Sequence, residues 1–169
     1  GNHLGHGIDT GDIVPGEVVA RIIESDDQNW PVGMLVRCHS GWQQFCDQPA
    51  EGLSQVPQAL SRPSLTLSLL GMPGLTAWAG MVSIANVKEG DVVVIPAAVG
   101  GVGAMAAQLA RRAGATTIAI TSGADKRRIA LETLGYDHCI DRIDQDLAEA
   151  LAEVAPNGVS VYFDLVGDP

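Results

Sequence analysis

The chain has 169 residues, 46% hydrophobic and only 4% aromatic, with 20 acidic against 10 basic side chains and a formal net charge of −10. That length allows one domain with a sizeable core, or one domain and part of a second, and the composition suits an α/β protein. The acidic balance argues against a nucleic-acid partner, whose phosphates require clustered Lys and Arg, and no apolar run approaches the roughly 20 residues that span a bilayer.

The start, Gly1-Asn2-His3, reads as the interior of a longer polypeptide, without a basic-then-apolar leader. His3 and His6 invite a ligand reading, but three-residue spacing in a Gly-rich stretch suits exposed loop residues better. From Val14 to Ile23 the sequence is β-prone, with Pro15 and Gly16 marking a turn or bulge at its start. Met34 to His39 and Gly41 to Cys46 are two further short strand candidates, and such spacing suggests part of a small barrel or sandwich. The cysteines, Cys38, Cys46 and Cys139, are odd in number and widely spaced, which predicts free thiols and a reducing, cytoplasmic setting. Cys38 and His39 are neighbours, so on a strand they face opposite sides, and no metal site is expected there.

Asp47 to Pro63 is polar and broken by Pro49, Pro57 and Pro63, and reads as connector. A short helical segment over Leu65 to Leu70 precedes Gly71-Met72-Pro73-Gly74-Leu75-Thr76-Ala77-Trp78, which leads into a helix with Pro73 in its first turn. The organising stretch is Val92 to Gly114. Val92 to Ile95 has the pattern of a strand buried on both faces of a parallel sheet. The turn Ala97-Ala98-Val99-Gly100-Gly101-Val102-Gly103 follows, then apolar residues at helical spacing, then Gly114 where a left-handed cap falls. Strand, glycine turn and helix make a dinucleotide-binding unit. Gly100 allows a tight turn beside a pyrophosphate, Gly103 allows the helix to pack on its strand, and the helix N-terminus offers unpaired N–H groups. Alanine stands at position 97, where the fingerprint has its first glycine.

A second strand is predicted at Thr116 to Thr121, a helix from about Asp125 to Leu134 ended by Gly135, and a third strand at His138 to Ile140. A helix over Asp146 to Val154 and a fourth strand over Ser160 to Val166 complete the pattern. NAD-binding units place an acid at the end of the second strand, and Thr121-Ser122-Gly123 has none. Asp125 reads as a helix cap. Lys126, Arg127 and Arg128 crowd the same turn against the helix dipole, which a 2′-phosphate on Lys126, with Ser122 or Thr121 as further donors, would offset. NADP is therefore favoured over NAD.

These residues resemble the zinc-independent medium-chain dehydrogenase/reductases, in the NADP-dependent alkenal and prostaglandin reductase branch (the leukotriene B4 dehydrogenase-like proteins). The matching stretches are Ser40 to Gln43, Gly71 to Ala77, Ala97 to Gly103, Gly123 to Lys126, Leu134-Gly135 and Val161 to Asp164. The resemblance covers roughly half of such a subunit. It implies part of a β-rich, GroES-like catalytic domain over residues 1–64, connecting helices over 65–90, and part of a Rossmann-type parallel sheet binding NADP over 91–169. It also implies hydride transfer from NADPH to the C=C bond of an enal, enone or quinone. Gly100, Gly101, Val102 and Gly103 would contact the pyrophosphate, Gly123 and Lys126 the adenosine phosphate, and Met72 and Thr76 the nicotinamide region. Pro15-Gly16-Glu17 lacks the histidine of the zinc-dependent cousins, so no catalytic zinc is implied.

Two positions depart from the branch: Arg142 stands where a tyrosine is usual and offers a further phosphate contact, and Leu165 stands where an asparagine is usual. No catalytic side chain is named, and Tyr136, Tyr162, His39 and His138 read as packing or edge residues. Dimers through later strands are common in the family, so a homodimer stays open here. A non-catalytic NADP-binding module is the alternative. A methyltransferase lacks its acid after the second strand, and a short-chain dehydrogenase lacks its Tyr-x-x-x-Lys pair.

Overall fold

Alternating burial along Leu35-Val36-Arg37-Cys38 marks the first sheet of the computed structural model, which describes residues 7–167. His3, His6 and the last two residues lie outside the described part. β1 (Val18–Arg21) pairs antiparallel with β2 (Leu35–Cys38), from Val18 against Cys38 to Arg21 against Leu35, and β2 pairs in turn with β3 (Ser54–Gln55). Val36 and Cys38 point inward and are buried, while Arg37 on the other face reaches Glu17 at 3.5 Å and the Thr66 carbonyl at 3.3 Å. This small sheet lies in the first of two units, Gly1–Leu67, the second being Ser68–Pro169.

Two expectations for the first unit change. Gly41 to Cys46 is not a strand: Gly41 sits at φ +74, where a Cβ would meet Ile13 at 2.6 Å, and the chain bends there. The stretch read as connector instead contributes β3 and a 3-10 turn over Ala50–Gly52, because the free edge of β2 offers Val36 and Arg37 as partners.

The second unit opens with α1 (Met72–Trp78), which carries Pro73 in its first turn and continues as a π-helical segment over Ala79–Ile84. β4 (Val92–Pro96) follows, then α2 (Gly101–Arg112), β5 (Thr116–Thr121), α3 (Ala124–Arg128) with a π-helical extension over Ile129–Thr133, β6 (His138–Asp141), α4 (Leu147–Val154) and β7 (Val161–Tyr162). All four strands are parallel, in the order β6-β5-β4-β7. Val93 and Ile95 face a core shared with Ala77 of α1, Ala106, Ala107 and Ala110 of α2, and Ala130. Val94 faces the opposite core, with Ile118, Ile120 and Ile140 and with Ala150 of α4. Both faces of β4 are covered, as its unbroken apolar run predicts.

The helix ends follow their residues. Gly114 and Gly135 take φ +86 and +70 just past their helices, and Asp146 accepts the Glu149 N–H at 3.0 Å as the cap of α4. Asp125 does not cap α3, contrary to expectation. Gly123 holds that place at φ +91, and the exposed Asp125 pairs with Arg128 at 3.8 Å one turn on. The fourth strand is shorter than Ser160 to Val166, because Asp164 turns back to accept the N–H groups of Val166 and Gly167 at 2.9 and 3.0 Å. Tyr162 is half exposed rather than packed. No helix among the described residues is long and apolar enough to cross a membrane.

The close approach of α2 to the turn after β4 rests on a single residue, Gly103. A Cβ on Gly103 would stand 2.7 Å from the Ala97 carbonyl oxygen and 3.0 Å from the Ala98 Cα. Gly103→Ala should therefore lower the unfolding free energy by about 1–3 kcal/mol, as overpacking against backbone does. Gly101→Ala, whose nearest neighbour is the Pro73 side chain at 3.7 Å, should change it by less than about 0.5 kcal/mol. Urea unfolding of both variants checks this, and equal stability of the two would show that the close packing at Gly103 does not matter.

Candidate functional site

Parallel strands put all their C-terminal ends at one edge of the sheet. Pro96 of β4 aligns with Ile120 of β5, and Thr121 of β5 with Asp141 of β6, so the turns after these three strands share that edge. The strand order supplies a second constraint. From β4 the chain moves outward through β5 to β6, then returns to the other side of β4 as β7. α2 and α3 with its extension pack on one face and α4 on the other. The order reverses between β4 and β7, and open α/β sheets bind ligands outside the strand ends at such a switch point. The turn after β4 stands there.

That turn is Ala97 to Gly103. Ala97 takes φ +50, a left-handed conformation rare for alanine, and Gly100 donates back to its carbonyl at 2.9 Å. Gly100 is the N-cap of α2 with φ −71 and ψ 168, and no side chain caps the helix. The first N–H groups of a helix have no intrahelical acceptors, so the amides of Gly101, Val102 and Gly103 are available to an external anion. The N-terminal turn of α1 packs beside this one: the Pro73 ring lies next to Gly101. Met72 and Thr76 are thus brought to the glycine turn, both exposed, with the Thr76 hydroxyl donating to the Met72 carbonyl at 2.8 Å.

The turn after β5 carries Gly123, Lys126 and its neighbours, and the turn after β6 carries Arg142. Lys126 and Arg142 are exposed and form no ion pair among the described residues, whereas Arg128 pairs with Asp125. Thr121 is not free to bind a ligand, since its hydroxyl is buried against the Cys139 thiol at 3.4 Å. Burial pushes that thiol up from its ordinary pKa, the Thr121 contact opposing the shift. His39 and His138 are exposed and stand apart from any cluster: no group of three or more His, Cys, Asp or Glu among the described residues is placed to hold a metal. An open cleft in the first unit has Glu24, Asp26, Asp27 and Asp47 in its lining against Arg21 alone, a charge balance hostile to a phosphate.

Two residues hold these turns: Tyr136, read from the sequence as a packing residue only, and Asp141, which the sequence did not single out. Tyr136, 4% exposed, directs its hydroxyl at the carbonyls of Gly103 and Ala98, at 3.0 and 3.1 Å, and so ties the approach to β6 to the glycine turn. Asp141, 3% exposed, accepts the N–H groups of Gly123 and Ile143 at 2.9 and 3.1 Å. These two backbone bonds hold its carboxyl below the usual carboxylate range, with Arg127 and Arg142 adding to the effect. The third strand runs one residue past the predicted His138 to Ile140, and Asp141, its added residue, was not read from the sequence.

Desolvation, with a smaller contribution from Cys139, pushes the Tyr136 phenol well above its ordinary value. Below about pH 10 the phenol is neutral in both folded and unfolded chains; above it the unfolded chain loses the proton first, so stability falls as pH rises. Tyr136→Phe should cost about 1 kcal/mol at neutral pH, the ordinary worth of a hydrogen bond. It should also remove one proton's share, up to about 1.4 kcal/mol per pH unit, from the decline above about pH 10. Denaturant unfolding from pH 7 to 11 measures both, and an unchanged alkaline slope would show that Tyr136 does not titrate with unfolding.

Comparison with known proteins follows the same lines. A family described as zinc-binding dehydrogenase matches residues 101–169. The NADPH-dependent curcumin reductase of Escherichia coli (strain K12) is 37% identical over 160 residues, which are 95% of this chain and 46% of that protein. Prostaglandin reductase 1 of Bos taurus is 39% identical over 162 residues, covering 93% of this chain and 49% of the relative. The crystal structure of CurA in complex with NADPH from Vibrio vulnificus superposes with a TM-score of 0.83 at 40% identity, over 91% of this chain and 46% of that one. The chain thus spans about half the length of the curated relatives it matches. By its sheet order, its glycine turn and these relatives, the chain is similar to about half of an NADPH-dependent medium-chain dehydrogenase/reductase.

Proposed function

We propose that the second unit binds NADPH and that the protein carrying this chain reduces the C=C bond of α,β-unsaturated carbonyls or quinones. The observation that carries the reading is the uncapped N-terminus of α2, presented by the Gly100 turn at the switch point of a parallel sheet. Gly101, Val102 and Gly103 would hold the pyrophosphate through backbone amides, with Gly100, whose N–H is bonded to the Ala97 carbonyl, shaping the turn beside it. Gly123, Lys126 and Arg142 would hold the adenosine end. The preference for NADPH rests on charge: Thr121-Ser122-Gly123 offers no carboxylate to ribose hydroxyls, and the acid nearby, Asp141, is committed to two backbone N–H groups.

When bound, NADPH supplies a hydride. What this chain contributes is position, with α1 setting Met72 and Thr76 beside the glycine turn, where the nicotinamide half of the cofactor would lie. The related curcumin reductase supports the substrate class, since curcumin is itself a conjugated enone. The free cysteines Cys38, Cys46 and Cys139 support a reducing, cytoplasmic setting. One observation favours a second reading, a cofactor-binding module without turnover. Leu165, where the branch usually has an amide, packs against the core and offers no hydrogen bond.

Cofactor fluorescence titration should show NADPH binding this chain more tightly than NADH. Lys126→Ala should weaken NADPH by about ten- to a hundredfold, the worth of a hydrogen bond to a charged group, and leave NADH nearly unchanged. Equal affinity for the two cofactors in the wild type would sink the NADP assignment. Separately, the intact protein should consume NADPH in the presence of an enal, enone or quinone; binding without turnover on all three leaves the module reading in its place.

A further inference from the structure

The corner that would take the adenosine phosphate has an unusual support. Its first turn pivots on Gly123 at φ +91 and ψ 151, a conformation that glycine adopts freely and that nothing within 4 Å of a Cβ would restrict. No side chain of α3 caps that helix. Such a turn has little reason of its own to stay in one place. What fixes it comes from the neighbouring strand. One carboxylate oxygen, Oδ1 of Asp141, accepts both the Gly123 N–H and the Ile143 N–H. The Asp141 N–H donates to Gln145 Oε1 at 3.0 Å, and Arg127 reaches the same oxygen at 3.5 Å. The Arg142 N–H closes the circuit on the Thr121 carbonyl at 3.1 Å. The turn that carries Lys126 and the turn that carries Arg142 are therefore locked together through a single buried oxygen.

We infer that Asp141 is a positioning residue for a phosphate-monoester subsite formed by Lys126 and Arg142, and that it sets the preference for a 2′-phosphorylated adenosine without touching the ligand. The inference rests on the NADP reading above and adds a residue to it. Charge-assisted bonds to backbone N–H groups are stronger than neutral ones, so the carboxylate is a firm anchor. The carboxylate keeps its charge, but Lys126, Arg127 and Arg142 outnumber it, so the corner stays cationic toward a ligand. Holding Lys126 and Arg142 in place before binding reduces the ordering cost that a phosphate would otherwise meet. A ligand that lacks the 2′-phosphate does not use these cations and gains nothing from their placement.

Calorimetric titration with adenosine 2′,5′-bisphosphate and with AMP separates the two phosphates. The wild-type chain should prefer the bisphosphate. Asp141→Ala should weaken the bisphosphate by about tenfold or more while AMP stays within about twofold, because only the 2′-subsite loses its preorganisation. Asp141→Asn, which keeps an Oδ1 acceptor for both N–H groups, should retain the preference. If Asp141→Ala does not fold, Asp141→Glu, which keeps the charge but displaces the oxygen by a methylene, should show the same selective loss. An unchanged preference in the folded Ala variant, or in Glu where Ala is unfolded, overturns the inference and leaves the NADP reading standing; so does equal loss on both ligands. A wild-type chain without preference for the bisphosphate overturns that reading, and this inference with it.

Discussion

The structure of the second unit depends on β4 being buried on both faces. A strand of this kind needs helices on either side, because each of its faces would otherwise leave apolar surface in water. Here α1 and α2 cover Val93 and Ile95 while α4 covers the layer of Val94. Right-handed crossovers on opposite faces run in opposite directions along the sheet, so the chain must pass from one side of β4 to the other. The gap that this reversal opens lies over the end of β4. The location of the candidate site is thus a result of burial and handedness, before any residue with chemistry is considered.

Small side chains bring the helix close enough to use that gap. Ala106, Ala107 and Ala110 of α2 are fully buried against the sheet, and Gly103 sits where even a methyl group would strike the turn. The low aromatic content of the chain is the compositional trace of this packing. Charge is organised on the same local scale. A net charge of −10 would repel a dinucleotide at long range, but exposed charges farther apart than about 10 Å are largely screened at 0.1 M ionic strength. At the corner proposed for the adenosine phosphate, Lys126 and Arg142 stand near a carboxylate already bonded to backbone, with Arg128 matched by Asp125.

The fold was legible wherever a residue pattern had one structural solution. The unbroken apolar run of β4, the β-prone run of β5, the glycines after the helices and the Asp146 cap appear where periodicity and capping rules put them. Legibility failed where a partner distant in sequence decides the outcome. β3 is only Ser54 and Gln55, with no strand propensity to announce it, and exists because β2 has an open edge. Asp125 has the residue type of a cap, yet Gly123 takes that place because Asp141 already binds its N–H. The glycine turn itself was readable from spacing. Its two supports were not, since Tyr136 and Asp141 act on backbone atoms about 33 and 18 positions away.

Those two supports share an origin. Tyr136 enters the core two residues before β6 begins, and Asp141 is the last residue of β6. Between them Cys139 faces the Tyr136 core and Ile140 the opposite one, so successive residues of the short strand pack into the two cores in turn. Because side chains on a strand alternate with period two, a slip of one residue against β5 would exchange the two faces. It would put Ile140 where Cys139 packs and carry Asp141 out of register with Thr121, its partner across the ladder. Burial of Ile140 and Cys139 therefore does more than stabilise an edge strand. It fixes the register that lets one end of β6 hold the glycine turn and the other hold the Gly123 turn, so that the two halves of the candidate site stand at one spacing.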